Sequence, residues 1–239
     1  MRACLLSLLL PLACAASWRR GKLSGKPSGT NGVGGFDEAN CKWCMAQVMR
    51  QLTPTARGCA EVNGTVIPSS SSARAPTAFC ESLLPKKRSP VVYSFGVDNI
   101  WDFDQTMAIR GSYNGVALSD DPHRPNASYP VLTLKTIMDG YGHSKVDVLR
   151  MRVFTNMEWK SLKNLINSGA IQTVRQLSLN LYMGVPTMWH EYRLILSGLK
   201  KAGFFPFYVS KQPDADYLKI QEGAQALYSR YEVSFGSDN

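Results

Sequence analysis

The stretch Val91-Val92-Tyr93-Ser94-Phe95-Gly96-Val97-Asp98-Asn99-Ile100-Trp101-Asp102-Phe103-Asp104 constrains the fold most. A short apolar run ends at a glycine, polar and acidic residues follow, and a helix-like segment continues to Arg110. That is a strand, a tight turn and a helix start. In α/β proteins such a turn lies at the carboxyl end of a strand, where nucleotide-like ligands are received. Gly96 lets the main chain come close to a ligand. A dinucleotide fingerprint carries three glycines and this turn has one, so on these residues alone an ordinary strand–turn–helix is the simpler reading.

The pattern continues to the end of the chain. Strand-like runs at 91–96, 113–118, 146–153, 174–182, 204–210 and 227–235 alternate with helix-like segments at 102–110, 131–140, 157–168 and 188–202. This is the order of an α/β domain. Trp159, Leu162, Leu165 and Ile166 share one helix face, and Gly169 stops that helix. Trp189, Tyr192, Leu196 and Leu199 repeat the arrangement before Gly203. Both stripes read as core. No clear helix separates the last two strands, which predicts an antiparallel final pair after a mainly parallel sheet.

The N-terminus is of another kind. Arg2 precedes an apolar run from Leu5 to Ala16, and Ala13-Cys14-Ala15 fits the small-residue rule for cleavage. The run is shorter than the roughly 20 residues a bilayer span needs. Residues 1–16 are therefore expected to be a signal peptide, and the protein secreted or lumenal. No later stretch is expected to cross a membrane. Cleavage removes Arg2 and no acid, lowering the net charge from +9 to +8. Residues 17–36 read as a flexible Gly- and Ser-rich leader. Residues 37–90 read as a small cap and linker, with a helix over 37–52 capped by Asp37. Lys86-Lys87-Arg88 reads as solvated linker, with proprotein cleavage as the alternative.

Four cysteines remain after cleavage: Cys41, Cys44, Cys59 and Cys80. An even number on a secretory route suggests two disulfides, with three possible pairings. A redox pair at Cys41 and Cys44, or a zinc site made by all four, is the rival. The spacings beyond Cys44 do not repeat the two-residue gap, which favours disulfides. The sequons at Asn63 and Asn126 agree with that route. Basic residues are dispersed, so no nucleic-acid surface is indicated. His123, His143 and His190 show no ligand spacing, and Asp120-Asp121 beside Pro122 reads as a turn rather than a metal pair. No hydrolase elbow, P-loop or zincin motif is present.

Several words in order resemble the methyltransferase-like domain of the family that includes methyltransferase-like protein 24. They are Tyr93 to Val97 with Asn99, Trp101, Phe103-Asp104 and Met107-Ala108, then Tyr113 to Asp120, Leu132 to Leu134, Ile137-Met138 and Gly142-His143. Val146 to Met151, Glu158-Trp159, Ser168-Gly169, Val174 to Leu177 and Tyr231 to Phe235 follow. The resemblance covers about residues 90–236 and leaves the cap uncovered. It implies a Rossmann-like class I methyltransferase sheet and S-adenosylmethionine as methyl donor. It places Ser94, Phe95, Gly96, Val97, Asp98 and Asn99 in the turn under the cofactor's amino-acid part. Asp98 or Asp104 would meet its ammonium group, with helix capping the alternative for both.

Three departures qualify that implication. The family's second strand, whose acid meets the cofactor ribose, is missing: Arg110-Gly111 runs straight into a stretch like the third strand. Two residues cannot make a crossover between parallel strands, so either the sheet is rearranged or the sequence is a variant transcript or gene-model error. Arg152 and Phe154 stand near positions where acids end the fourth strand. Leu179-Asn180-Leu181-Tyr182 replaces a Glu and a His. The catalytic residues and the methyl acceptor are therefore not assigned. The expectation is a methyltransferase-like secretory protein with activity weakened or lost. The alternative is a non-catalytic secreted binding protein on the same fold.

Overall fold

The computed structural model describes residues 42–61, 63–96, 100–109, 114–118, 132–152, 157–218 and 227–238. In chain order these form α1 (Lys42–Gln51), β1 (Thr65–Ile67), β2 (Thr77–Phe79), β3 (Val91–Phe95), α2 (Asp102–Ile109) and β4 (Asn114–Leu118). Then come α3 (Leu134–Tyr141), β5 (Val148–Met151), α4 (Met157–Asn167), β6 (Gln176–Tyr182), α5 (Trp189–Lys201) and β7 (Phe204–Lys211). Short strands β8 (Tyr217–Leu218) and β9 (Leu227–Tyr228) precede β10 (Arg230–Ser237). The signal peptide, the leader, Cys41, Val97, Asp98, Asn99, Asp120, Asp121, His123, Asn126 and Phe154 lie outside the described residues.

The main sheet has the order β4-β3-β5-β6-β10-β7. The first four strands are parallel, and β10 runs antiparallel to both β6 and β7. The α/β class and the antiparallel finish are as expected. The place beside β3 is filled, however. β4 pairs directly with β3, from Val91 opposite Asn114 to Phe95 opposite Leu118. The crossover between them is the whole link 96–113 with α2 inside it, which exceeds the dozen or so residues such a link needs. β4 is therefore the direct parallel neighbour of β3 on this side of the sheet.

Successive residues of a strand face opposite sides. Tyr93, Leu149, Met151, Leu177, Leu179, Leu181, Tyr231, Val233 and Phe235 face a core closed by α1, α3, α4 and α5. Within it lie Trp159, Leu162 and Leu165 of α4, and Tyr192, Leu196 and Leu199 of α5. Met45, Val48 and Leu52 of α1 join the same core. The opposite face is different. Ser94, Arg150, Ser178 and Ser234 form one register row across four strands, and all four are buried.

That polar row is covered by α2 and by the β1–β2 hairpin, which sequence patterning does not show. Ser234 Oγ donates to Ala78 O at 2.7 Å, and Gln176 brackets Cys80 with bonds of 2.7 and 2.9 Å. Buried Glu232 accepts from Thr77 and Ser178, each at 3.1 Å, and from Gln212 at 3.2 Å. Buried polar groups are tolerated when they find partners, and the hairpin supplies several of them through Thr77, Ala78 and Cys80. Segment 42–90 therefore docks on both faces of the sheet.

Two further contacts fix that segment. Arg88, which reads in sequence as solvated linker, makes a two-pronged bond to buried Asp147 at 2.6 and 2.9 Å, and Val91 N donates to the same carboxylate at 2.7 Å. This geometry suits a guanidinium, whose planar fork matches a carboxylate. Cys59 and Cys80 form a disulfide, and Cys44 is also disulfide-bonded. Closing a loop of separation 21 restricts the unfolded chain and stabilises by about 3 kcal/mol. Chemical denaturation of the Cys59→Ala/Cys80→Ala variant should show a loss of about that size; an unchanged midpoint would contradict it.

Candidate functional site

The site is built where the parallel strands end. Chain order reverses between β4 and β5 around β3, which makes the carboxyl ends of β3 and β5 the crevice where open α/β sheets take ligands. The turn Phe95–Gly96 occupies this edge. Gly96 has φ 73°, and a Cβ there would sit 1.8 Å from Arg152 O. Arg152 N in turn donates to Phe95 O at 2.9 Å. The glycine is thus required by strand contact as well as by backbone angle.

Ser94 and Asp104 are brought together, but away from the edge. Ser94 is fully buried within β3. Its hydroxyl accepts from Arg150 Nη1 at 3.4 Å and donates to Asp104 Oδ2 at 3.5 Å. Asp104 Oδ2 lies 3.6 Å from Arg150 Nη1, and both side chains are buried. The guanidinium also stands 5.0 Å over the Phe103 ring. Asp104 therefore sits in an ion pair spanning α2 and β5, a role its place in the sequence does not suggest. Phe95 packs partly buried against the helix-side core. Ser94 and Asp104 thus share the Arg150 guanidinium below the turn. The rest of the expected turn, Val97 to Asn99, lies outside the described residues.

Further along the edge, three side chains tie down the end of β6. Glu158 Oε1 accepts from Tyr182 N at 2.9 Å, Trp159 Nε1 donates to Tyr182 O at 2.7 Å, and Trp189 Nε1 donates to Met183 O at 2.9 Å. Trp159 stacks on Tyr192 with centroids 4.2 Å apart. Glu158 is 1% exposed. Burial pushes its carboxyl up to about 7, against smaller opposing pulls from its own amide, the Tyr182 amide and Arg230. In the sequence Glu158 stands out only as part of a family word. Leu179 and Leu181 are core.

The remaining candidates are accounted for locally. Tyr93 OH and His143 Nδ1 are 2.8 Å apart. Burial, with Tyr141 adding, pushes the Tyr93 phenol up to about 12. His190 is half-buried at the start of α5, and Asn63 is exposed with φ 68°. Cys59, Glu61 and Cys80 cluster within 4.8 Å. The two sulfurs are bonded to each other, which removes both thiolates from the four-cysteine zinc alternative. No helix among the described residues is long and apolar enough to cross a membrane.

No family model matches the sequence, and no curated protein matches it. Two solved structures show a loose likeness. One is protein PH1948 of Pyrococcus horikoshii, described as a putative RNA methyltransferase, with 11% identity and a TM-score of 0.34 over 63% of this chain and 75% of that one. The other is human methyltransferase 10 domain containing protein, with 13% identity and a TM-score of 0.33 over 63% of this chain and 73% of that one. At such scores neither adds to what the strand order itself shows.

Proposed function

We propose that the chain is a methyltransferase-like protein of the secretory pathway, related to the family of methyltransferase-like protein 24. S-adenosylmethionine, or its demethylated product, binds at the turn after Phe95 through main-chain groups rather than through Ser94 or Asp104. The observation that carries this reading is the sheet: parallel strands, a reversal of order around β3, and an antiparallel strand inserted before the last. The Cys59–Cys80 bond supports the secretory route, because disulfides persist in oxidising compartments. Sugar attachment at exposed Asn63 belongs to the same proposal.

One observation favours a second reading, a non-catalytic binding protein on this fold. Asp104, one of the two acids expected to meet the cofactor, is ion-paired with Arg150. Calorimetric titration of S-adenosylmethionine and S-adenosylhomocysteine into the secreted chain separates the two. Micromolar binding is expected. No heat from a cooperatively folded protein would overturn the cofactor reading and leave the binding protein.

A further inference from the structure

We propose that Glu158 is a proton-operated strap at the carboxyl edge of the sheet, tight when protonated and loose when ionised. Its place in the fold carries the inference. Glu158 stands in the first turn of α4, and one carboxyl oxygen holds the Tyr182 amide at the end of β6. The other oxygen, Oε2, is buried with no hydrogen-bond partner among the described residues. A buried ionised oxygen without a partner carries a large desolvation cost, which the neutral acid avoids.

The charged and titratable groups around it relieve only part of that cost. From β10, Arg230 is the cation that pulls Glu158 toward ionisation, but its Nη1 bonds Asp214 at 3.0 Å and its guanidinium lies 5.8 Å from the Tyr182 ring. From α5, Tyr192 is neutral, its phenol pushed up by burial and by Glu158 itself. Glu191 on the same helix bonds Lys163 of α4 at 2.7 Å. Tyr182 supplies its amide from β6. Burial therefore dominates, and the proton is held to about pH 7.

The sign follows. A carboxyl whose folded value is raised from 4.5 to about 7 binds its proton more tightly in the folded state. Stability from this group is greatest below the unfolded value and is lost as pH rises to about 7. Above that the junction of β6 and α4 keeps an ionised, unpartnered oxygen, and its opening becomes easier.

Hydrogen exchange of the full chain tests this through the peptide containing Tyr182. Relative to Glu158→Gln, wild-type opening at that peptide should rise about tenfold between pH 6 and pH 8. Parallel pH dependence in the two proteins, or wild-type protection that grows with pH, would overturn the proposal. Should the variant not fold, the Tyr182 amide nitrogen shift in wild type decides. An inflection near pH 7 is expected, and one below pH 5.5 would overturn it.

Discussion

Gly96→Ala is expected to lose on the order of 3–4 kcal/mol of stability, where most exposed turn glycines would lose far less. Two terms add. An L residue at φ 73° is strained, and its Cβ would lie 1.8 Å from Arg152 O and 2.7 Å from Arg152 C. Both contacts are main chain, so no side-chain rotation relieves them. β3 and β5 would have to part at the edge where the Arg152–Phe95 hydrogen bond closes the pair. Gly169 provides the control. It has the same φ of 73°, but a Cβ added there would meet nothing within 4 Å. Gly169→Ala should therefore cost only the backbone term, about 1 kcal/mol. Equal losses at the two sites by urea denaturation would contradict the contact account. The same geometry makes a bulky residue at 96 unsuitable for testing ligand binding, because folding fails first.

Asp104→Ala is expected to lose about 3–5 kcal/mol, the range for leaving one charge of a buried pair without its partner. Arg150 Nε is buried without a hydrogen-bond partner among the described residues, and Asp104 is the opposite charge 3.6 Å from its Nη1. Removing the carboxylate leaves a desolvated guanidinium between α2 and the sheet. The double variant Asp104→Ala/Arg150→Met should recover most of that loss, since apolar residues in place of both charges are often nearly neutral. A double-mutant cycle measures the coupling directly. Losses that simply add, or an Asp104→Ala variant within about 1 kcal/mol of wild type, would contradict the pairing.

These two positions show what is legible in the sequence. Elements with a strong period are readable: of the two stripes, Trp159, Leu162, Leu165, Tyr192, Leu196 and Leu199 are buried as their spacing predicts, and Ile166 and Trp189 are partly buried against the same core. Apart from the two-residue β8, the described strands from Val91 onward fall where β-like runs stand, and the final reversal follows from the missing helix between the last two. The β1–β2 hairpin is not readable, because two three-residue strands carry no period. Its docking misleads further. Gln176-Leu177-Ser178-Leu179-Asn180-Leu181 alternates like a strand with one wet face, yet Gln176 and Ser178 are buried beneath the hairpin. Alternation reports polarity, not exposure, and only partners distant in the chain decide between them.

The site is less legible than the fold for the same reason. Asp104 beside a glycine turn reads as a cap or a cofactor contact; its partner Arg150 is 46 positions away and sits in a strand that reads as core. The pairing of β4 with β3 is not visible in the sequence, because it is made across the link that holds α2. Glu158 gives no signal of its own, since burial and a raised carboxyl come from α5, β6 and β10 packing around it.

The most direct test of the central claim is hydrogen exchange of the folded protein with and without saturating S-adenosylhomocysteine. Added protection confined to peptides spanning 91–101 is predicted, with the hairpin peptides over 63–80 unchanged. Protection elsewhere, or none in a folded protein, would contradict a ligand site at the carboxyl end of β3.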